Sequence, residues 1–297
     1  MEIGDWRLGK PMTRTRLLTL LALLALFLSA CIPTPTPTGS ALTVAFLDIG
    51  QGDSILIRSP NGMTMLIDGG NSDNDATQVI LPKLSEWGAD RLDVMVATHP
   101  DADHIGGLPE VLETFPVETV ALTGQVHSTQ IYERLLTDIR DLNVNAIQTR
   151  TGTSIPFDPA VRVEVLGPDD EFVQDDNDTN NASIVIRLTY GSVSFMFTGD
   201  AEDPEEEAIL ASGADLRSAI LKVGHHGSRS STSEPFLAAV DPQIGVISAG
   251  ANNQFGHPHQ EVLDRLEQGG VQIYRTDQGG TITITTNGST IDVETDR

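Results

Sequence analysis

"ATHPDADHIGG", residues 97–107, sets two histidines and two aspartates within six positions, His99 to His104. The stretch follows "VMVAT", an almost wholly apolar run that reads as a buried strand, and precedes "LPEVLETF", which reads as a helix beginning near Gly107. The cluster is therefore predicted on a loop between a strand end and a helix N-terminus, where α/β proteins place their chemistry. Two imidazoles and two carboxylates on so short a loop suit metal coordination. His99 and Asp101 can face one cation while the adjacent Asp103–His104 pair turns to a second. The bland alternative, an acidic turn with surface histidines, is disfavoured because imidazoles left unsatisfied beside a buried strand end are costly. Asp101 is the unusual member, a hard oxygen ligand where a His-x-His-x-Asp-His cluster carries a second imidazole.

The same signal recurs along the chain. "FMFTGD" delivers Asp200 after an apolar strand, "LKVGHHGS" delivers His225 and His226, and "QFGHPH" delivers His257 and His259. With the first cluster, six of the seven histidines and three acids fall at strand-to-loop junctions. Strands lying side by side would bring these junctions to one edge, a geometry suited to a two-metal hydrolase. "LTVAFLDIG", "DSILIRS" and "GMTMLIDGG" read as strands separated by turn residues. "DATQVILPKLSEWG" reads as a helix capped by Asp75 and stopped at Gly88, with Pro82 its weak point. "ASIVIRLTYG" and "VSFMFTGD" form a hairpin through Gly191, and "DPEEEAIL" starts a helix whose Glu205 to Glu207 complement its dipole. "IGVISAG", "VQIYRTD" and "TITITT" are further strands, with helices near 232–240 and 259–268. Two β-rich halves with flanking helices predict two sheets packed face to face in one domain, residues 42–297. "DDEFVQDDND", residues 169–178, lacks the glycine and spacing of an EF-hand and reads as a solvated loop.

The N-terminus reads as an export signal. Lys10, Arg14 and Arg16 precede the apolar run Leu17 to Leu28, the length of a signal-peptide core and too short to span a bilayer. It ends in "LSAC", which resembles a bacterial lipobox: residues 1–30 would be the lipoprotein signal and Cys31, the only cysteine, the lipidated residue. A Pro/Thr-rich spacer, residues 31–41, follows. The expected location is exported, anchored by lipid at the outer face of the cell membrane. With one cysteine, internal disulfides and cysteine-ligated zinc are excluded. The formal charge of −24 argues against a broad basic surface for gripping nucleic acid, though a bound metal pair would reverse the local field.

"THPDADHIGG", "FTGD" and "GHHGS" together resemble the metallo-β-lactamase superfamily, and within it the extracellular domain of ComEC-type competence proteins. Shared blocks are "FLDIGQGDSILI" (Phe46 to Ile57), "LIDGG" with Asp68, "NNAS" (Asn180 to Ser183), "NQFGHP" (Asn253 to Pro258) and "YRTDQGG". The resemblance runs over roughly residues 42–290. It implies an αββα four-layer sandwich with a dinuclear site. His99 and Asp101 would serve one metal, Asp103 and His104 the other, Asp200 would bridge them, and His225 or His226 would add a ligand. Asn181 would assist at the site, and His257 would be a ligand or the proton donor to the leaving group. Lys222, Ser228, Arg229 and Asn253 are candidate substrate-binding residues. The carboxylate-rich set favours Mn²⁺ beside Zn²⁺ and counts against β-lactam hydrolysis, which leans on three histidines at one metal.

The expected function is that of an exported metal-dependent phosphodiesterase or nuclease acting on extracellular DNA. The alternative substrates are a small phosphodiester, a lactone or another ester. A non-catalytic metal-binding surface lipoprotein is a third reading, disfavoured by the retention of the whole ligand set. The membrane is expected to be met through the lipid anchor alone, and no protein partner is inferable. Without a multi-spanning channel the chain is not expected to translocate DNA itself.

Overall fold

Alternation along the strands decides the layering. In a computed structural model describing residues 41–175 and 177–297, the strands run β1 (Leu42–Phe46), β2 (Ile55–Arg58), β3 (Thr64–Ile67), β4 (Leu92–Ala97), β5 (Val117–Leu122), β6 (Asn145–Gln148) and β7 (Arg162–Gly167). They continue as β8 (Val185–Tyr190), β9 (Val193–Phe197), β10 (Ile220–Lys222), β11 (Ile244–Ile247), β12 (Gln272–Arg275), β13 (Ile282–Thr286) and β14 (Ile291–Thr295). One sheet has the order β14-β13-β1-β2-β3-β4-β5-β6 and the other β12-β11-β10-β9-β8-β7. Phe46, Ile55, Ile57, Met65, Val94, Val96, Phe195, Phe197 and Ile220 share the core between the sheets. Their neighbours Ala45, Leu56, Leu66 and Met95 turn to the outer face of the first sheet, and Met196 and Leu221 to that of the second. Strands buried on both faces explain why these runs are almost continuously apolar. The expected αββα sandwich is the observed fold.

The first sheet's outer face is covered by helical segments within 73–86, by Leu108–Thr114 and by Gln130–Asp141; the second sheet's by Asp203–Ala211, Glu234–Val240 and Gln260–Gln268. The first helical segment differs from its reading in two ways. It begins at Asp73, and Asp75 is not the cap: its carboxylate accepts from the Asn71 N–H at 2.8 Å and the Ser72 hydroxyl at 3.2 Å. Its second turn is a π-turn, Ala76–Ile80, in which the Leu81 N–H reaches back to the Ala76 carbonyl. Pro82 lies just past this π-turn, where the widened winding gives way to the α-segment Leu81–Glu86. The helices Leu108–Thr114 and Gln260–Gln268, and the hairpin through Gly191, fall where the sequence places them.

Both sheets are half parallel. β3 to β6 run parallel in one, and β9 to β12 in the other. Residues at the carboxyl ends of these parallel strands are the ones that meet. Residues 1–30, expected as a signal sequence, Cys31, and all of the expected spacer but Ala41 lie outside the described residues. Among the described residues no helix is long and apolar enough to cross a membrane.

The glutamates of Asp203–Ala211 correct another expectation. Glu207 is exposed, but Glu205 and Glu206 are buried and do more than complement a dipole. Glu206 accepts from the Thr232 and Ser233 N–H groups at 2.5 and 2.8 Å, pinning the segment that leads into Glu234–Val240. Neither oxygen of Glu205 has a hydrogen-bond partner, and burial, then the charges of Glu206, Asp178 and Asp169, push its carboxyl well above the usual range.

Two stability predictions follow from this packing. Phe195, fully buried and stacked on Phe197 with centroids 6.0 Å apart, fills the inter-sheet core, so Phe195→Ala should cost about 3–5 kcal/mol in urea unfolding. Glu205 carries a folded pKa above its unfolded value, so its effect is absent below that value and destabilising as pH rises through the window above it. Glu205→Gln should therefore match the wild type near about pH 4 and exceed it in thermal midpoint near about pH 8. Parallel curves at both pH values would show that Glu205 ionises normally.

Candidate metal centre

The loop after β4 is held from beneath by Asp68, which follows β3. Asp68 is fully buried and accepts from the Thr98 N–H at 2.9 Å, the Thr98 hydroxyl at 2.7 Å and His104 Nδ1 at 2.8 Å. Because the Thr98 hydroxyl gives its proton to Asp68, its oxygen accepts from His99 Nδ1 at 3.1 Å. One carboxylate thus orients two imidazoles, His104 directly and His99 through Thr98, and leaves each Nε2 facing the site. Glycines let the backbones close up: a Cβ at Gly106 would stand 2.0 Å from the Asn71 carbonyl carbon, and one at Gly52 2.3 Å from the Asp103 carbonyl oxygen.

From the second sheet come Asp200, after β9, and the histidine pair, after β10. His104 Nε2 and His226 Nε2 each stand 3.3 Å from Asp200 Oδ2, and His226 Nε2 stands 3.4 Å from Asp103 Oδ2. The Ser248 carbonyl accepts from His226 Nδ1 at 3.0 Å, so this ring too presents Nε2 to the cluster. His225 and His226 both take left-handed backbone angles, φ 45° and 55°, strain that turns two successive rings toward Asp200. His225 Nε2 is 3.6 Å from Asp200 Oδ2, while its Nδ1 lies 2.9 Å from Glu202.

His99 Nε2, His104 Nε2, His226 Nε2 and Asp200 Oδ1 are all buried without a hydrogen-bond partner. Ligand atoms of His99, His104 and Asp200 lie within 4.8 Å of one another, as do those of Asp103, His104 and His226. Nitrogen and oxygen donors so arranged fit borderline-to-hard divalent cations. Electrostatics follow the same lines. Burial opposes charge on His104 and His226, but Asp200 with Asp68 for the first, and Asp200 with Asp103 and Asp53 for the second, hold both well above their ordinary pKa. His99, desolvated and beside His104, is lowered to about 4. Asp200 stays well below the usual range because the two imidazoles outweigh its burial.

The sequence reading left Asp53 and Asp68 without a role, and it misplaced Lys222. Rather than holding a phosphate, Lys222 is fully buried; its ammonium pairs with Asp53, donates to the Gly199 carbonyl at 3.2 Å and lies 4.0 Å from Asp200 Oδ1. Burial opposes the Asp53 charge, yet Lys222 and then His226 pull its pKa down to about 2. Asn181 is likewise engaged elsewhere. Its carbonyl oxygen accepts from the Glu202 and Glu205 N–H groups at 3.1 and 3.2 Å, capping Asp203–Ala211, and its amide donates to Asp178. Asn253 spends its amide on its own turn, donating to the Gly250 and His257 carbonyls and accepting from the Phe255 and His257 N–H groups. Ser228 bonds Ser230, and exposed Arg229 faces Glu261 at 3.8 Å. Asp101 stands at the mouth, 37% exposed, with Oδ2 3.9 Å from His99 Nε2. His257 is half-buried with Nδ1 unpartnered, its ring 5.4 Å from that of His225.

Residues 47–251 match the family described as the Metallo-beta-lactamase superfamily. ComE operon protein 3 of Bacillus subtilis (strain 168) is 32% identical over 254 residues, covering 80% of this chain and 32% of that protein. Competence protein ComA of Neisseria gonorrhoeae is 33% identical over 251 residues, covering 84% of this chain and 33% of its own length. The chain thus spans about a third of the length of these curated relatives. Among solved structures, CmlA, a diiron β-hydroxylase from Streptomyces venezuelae, superposes with a TM-score of 0.52 at 14% identity, over 85% of this chain and 55% of that one, a likeness of fold alone. With the sandwich, the ligand-bearing strand ends and the family match in agreement, the chain belongs to the metallo-β-lactamase superfamily, in the company of competence proteins.

Proposed function

We propose that this protein is a two-metal phosphodiesterase that cleaves nucleic acid outside the cell, tethered by a lipid at Cys31. The observation that carries the reading is the meeting of three buried, unpartnered imidazole Nε2 atoms with the equally unpartnered Asp200 Oδ1. In this reading His99, Asp101 and Asp200 hold one cation, and Asp103, His104, His226 and Asp200 the other. His226 is preferred to His225 because its Nε2 is buried and unpartnered and lies against both Asp103 and Asp200. Divalent cations bound there supply Lewis-acid polarisation and an activated water. The chain's own residues do the rest. Asp68, Thr98 and the Ser248 carbonyl fix the ring orientations, which is the usual task of partners behind metal ligands. His257 sits beside His225 at the rim, where burial and then the neighbouring imidazoles lower it to about 4, so it would hand a proton to a leaving oxygen only once a bound phosphodiester raises it. The carboxylate-rich set favours hard cations, Mn²⁺ beside Zn²⁺, which suit phosphoryl oxygens. A relative named for competence supports a nucleic-acid substrate. The net charge of −24 favours the second reading, a small phosphodiester or other ester.

The test strips the protein of metal, reloads it with Mn²⁺ or Zn²⁺, and offers single-stranded DNA and bis-p-nitrophenyl phosphate side by side. Both should be cut, and Asp103→Ala should fall to background on each. Cleavage of the small diester alone would shift the assignment to a small substrate. Silence on both with two metals bound would sink the phosphodiester reading. Separately, Asp68→Asn should weaken metal affinity about 10- to 100-fold in competition with a chromogenic chelator. Unchanged affinity would show that Asp68 serves the loop and not the ligands.

A further inference from the structure

Beside Asp103 the surface opens into a groove of about 410 Å³, bounded by Gln51, Asn71, Gln254 and Phe255. No lysine or arginine lines it, and Asp103 is its one charged residue. It is therefore poorly suited to a bare phosphate and well suited to a flat, neutral, hydrogen-bonding group. Phe255 forms its lip. This side chain is 52% exposed, the one aromatic among the large exposed hydrophobic residues described, and none of the others lines the groove. Its ring stacks on His257, with centroids 5.7 Å apart and planes 24° from parallel.

The ring is not a loose surface residue. The Phe255 and His257 N–H groups both donate to Asn253 Oδ1, at 3.1 and 3.0 Å, while the Asn253 amide donates to the Gly250 and His257 carbonyls at 2.9 and 2.6 Å. Gly256, at φ +75°, lets the turn close between them. A single amide side chain thus braces the turn that presents the phenyl group. A rigid aromatic held half in water at the edge of an amide-lined groove binds a planar ring with little loss of side-chain freedom.

We infer that this groove is a nucleobase subsite, in which Phe255 stacks a base of single-stranded nucleic acid whose adjoining phosphodiester lies at the Asp103–Asp200 cluster. The assignment rests on the nucleic-acid reading above and adds what that reading lacks: the strandedness of the substrate and the residue that grips it. Unpaired bases expose the faces that a duplex buries, so a stacking platform selects single strands without reading sequence. It also lets an acidic protein hold a polyanion, since the grip falls on the base and the phosphate is left to the metal site.

The experiment measures binding by fluorescence anisotropy with the full, metal-loaded protein. The probes are a nuclease-resistant phosphorothioate thymidine oligomer, the same backbone carrying abasic sites, and the corresponding duplex. Phe255→Ala should weaken the single-stranded oligomer about 5- to 150-fold, Phe255→Trp should retain it, and the abasic oligomer should bind the wild type as weakly as it binds Phe255→Ala. The thermal midpoint of each variant, expected to stay put for so exposed a side chain, controls for folding. Equal affinity of wild type and Phe255→Ala for the thymidine oligomer would overturn the subsite, as would an equal loss with the abasic backbone. If the oligomer binds through Phe255 while the wild type cleaves no nucleic acid, the subsite stands and the hydrolase reading falls. If the wild type cleaves DNA with no dependence on Phe255, the reverse holds.

Discussion

Four carboxylates, Asp53, Asp68, Asp103 and Asp200, converge where the two sheets meet, and three of them are sealed from water. Like charges packed this closely in a poorly polarisable interior repel strongly unless cations stand among them. The structure answers in two ways. Lys222, buried completely, neutralises Asp53 and reaches toward Asp200. Imidazoles fill the remaining positions, His104 steered by a carboxylate, His226 by a carbonyl and His99 by the Thr98 hydroxyl. The rest of the local architecture serves this arrangement: the glycines that let loops touch, the strained histidine pair, and the Thr98 hydroxyl that carries orientation from Asp68 to His99. A cluster assembled at such electrostatic cost is a poor structural device and a good receptacle for divalent charge.

The ligand-bearing loops come from both sheets, so the site exists only where the two halves are docked. Ser183, just before β8, shows the coupling at the scale of one hydroxyl. Its oxygen accepts from the Asp200 N–H at 3.0 Å and lies 3.3 Å from His99 Nδ1, tying the two halves of the cluster. The likeness to a diiron β-hydroxylase at 14% identity makes a related point. A shared sandwich does not fix the chemistry it carries, and activity has to be argued from the side chains that line the site.

Much of this was legible in the chain because the controlling signal is simple. A largely apolar strand followed within a few residues by Asp or His marks a carboxyl-terminal strand edge, and His99, Asp200 and His226 all carry it. Asp68 carries it too, after "MLI", though its "LIDGG" block entered the resemblance without a role for the carboxylate. Lys222 was misread because lysine is almost always solvated, and nothing local announces that Asp53 waits beneath it. The choice between His225 and His226 could not be made from spacing, since a left-handed pair places both rings near Asp200 and only burial separates them. Asn181 and Asn253 looked like site residues for their neighbourhood and turned out to build it, one by capping a helix and the other by bracing a turn. The stretch between Phe115 and Gly167 was left largely unread. Its edge strand Asn145–Gln148 is mostly exposed and shows no apolar alternation to betray it.

The place of β1 has a consequence for how the chain comes into being. Leu42–Phe46 lies between β2, its near neighbour in sequence, and β13, almost at the far end. Until Ile282–Thr286 has left the ribosome, the first strand has one open edge of unpaired N–H and C=O groups, backed by the apolar residues of the inter-sheet core. Such long-range pairing is slow to form, and the waiting edge is a template for any other extended strand. The fold is in this sense stitched shut by the residues of β13. A nascent or clipped chain that lacks them is exposed to self-association well before it lacks any metal ligand.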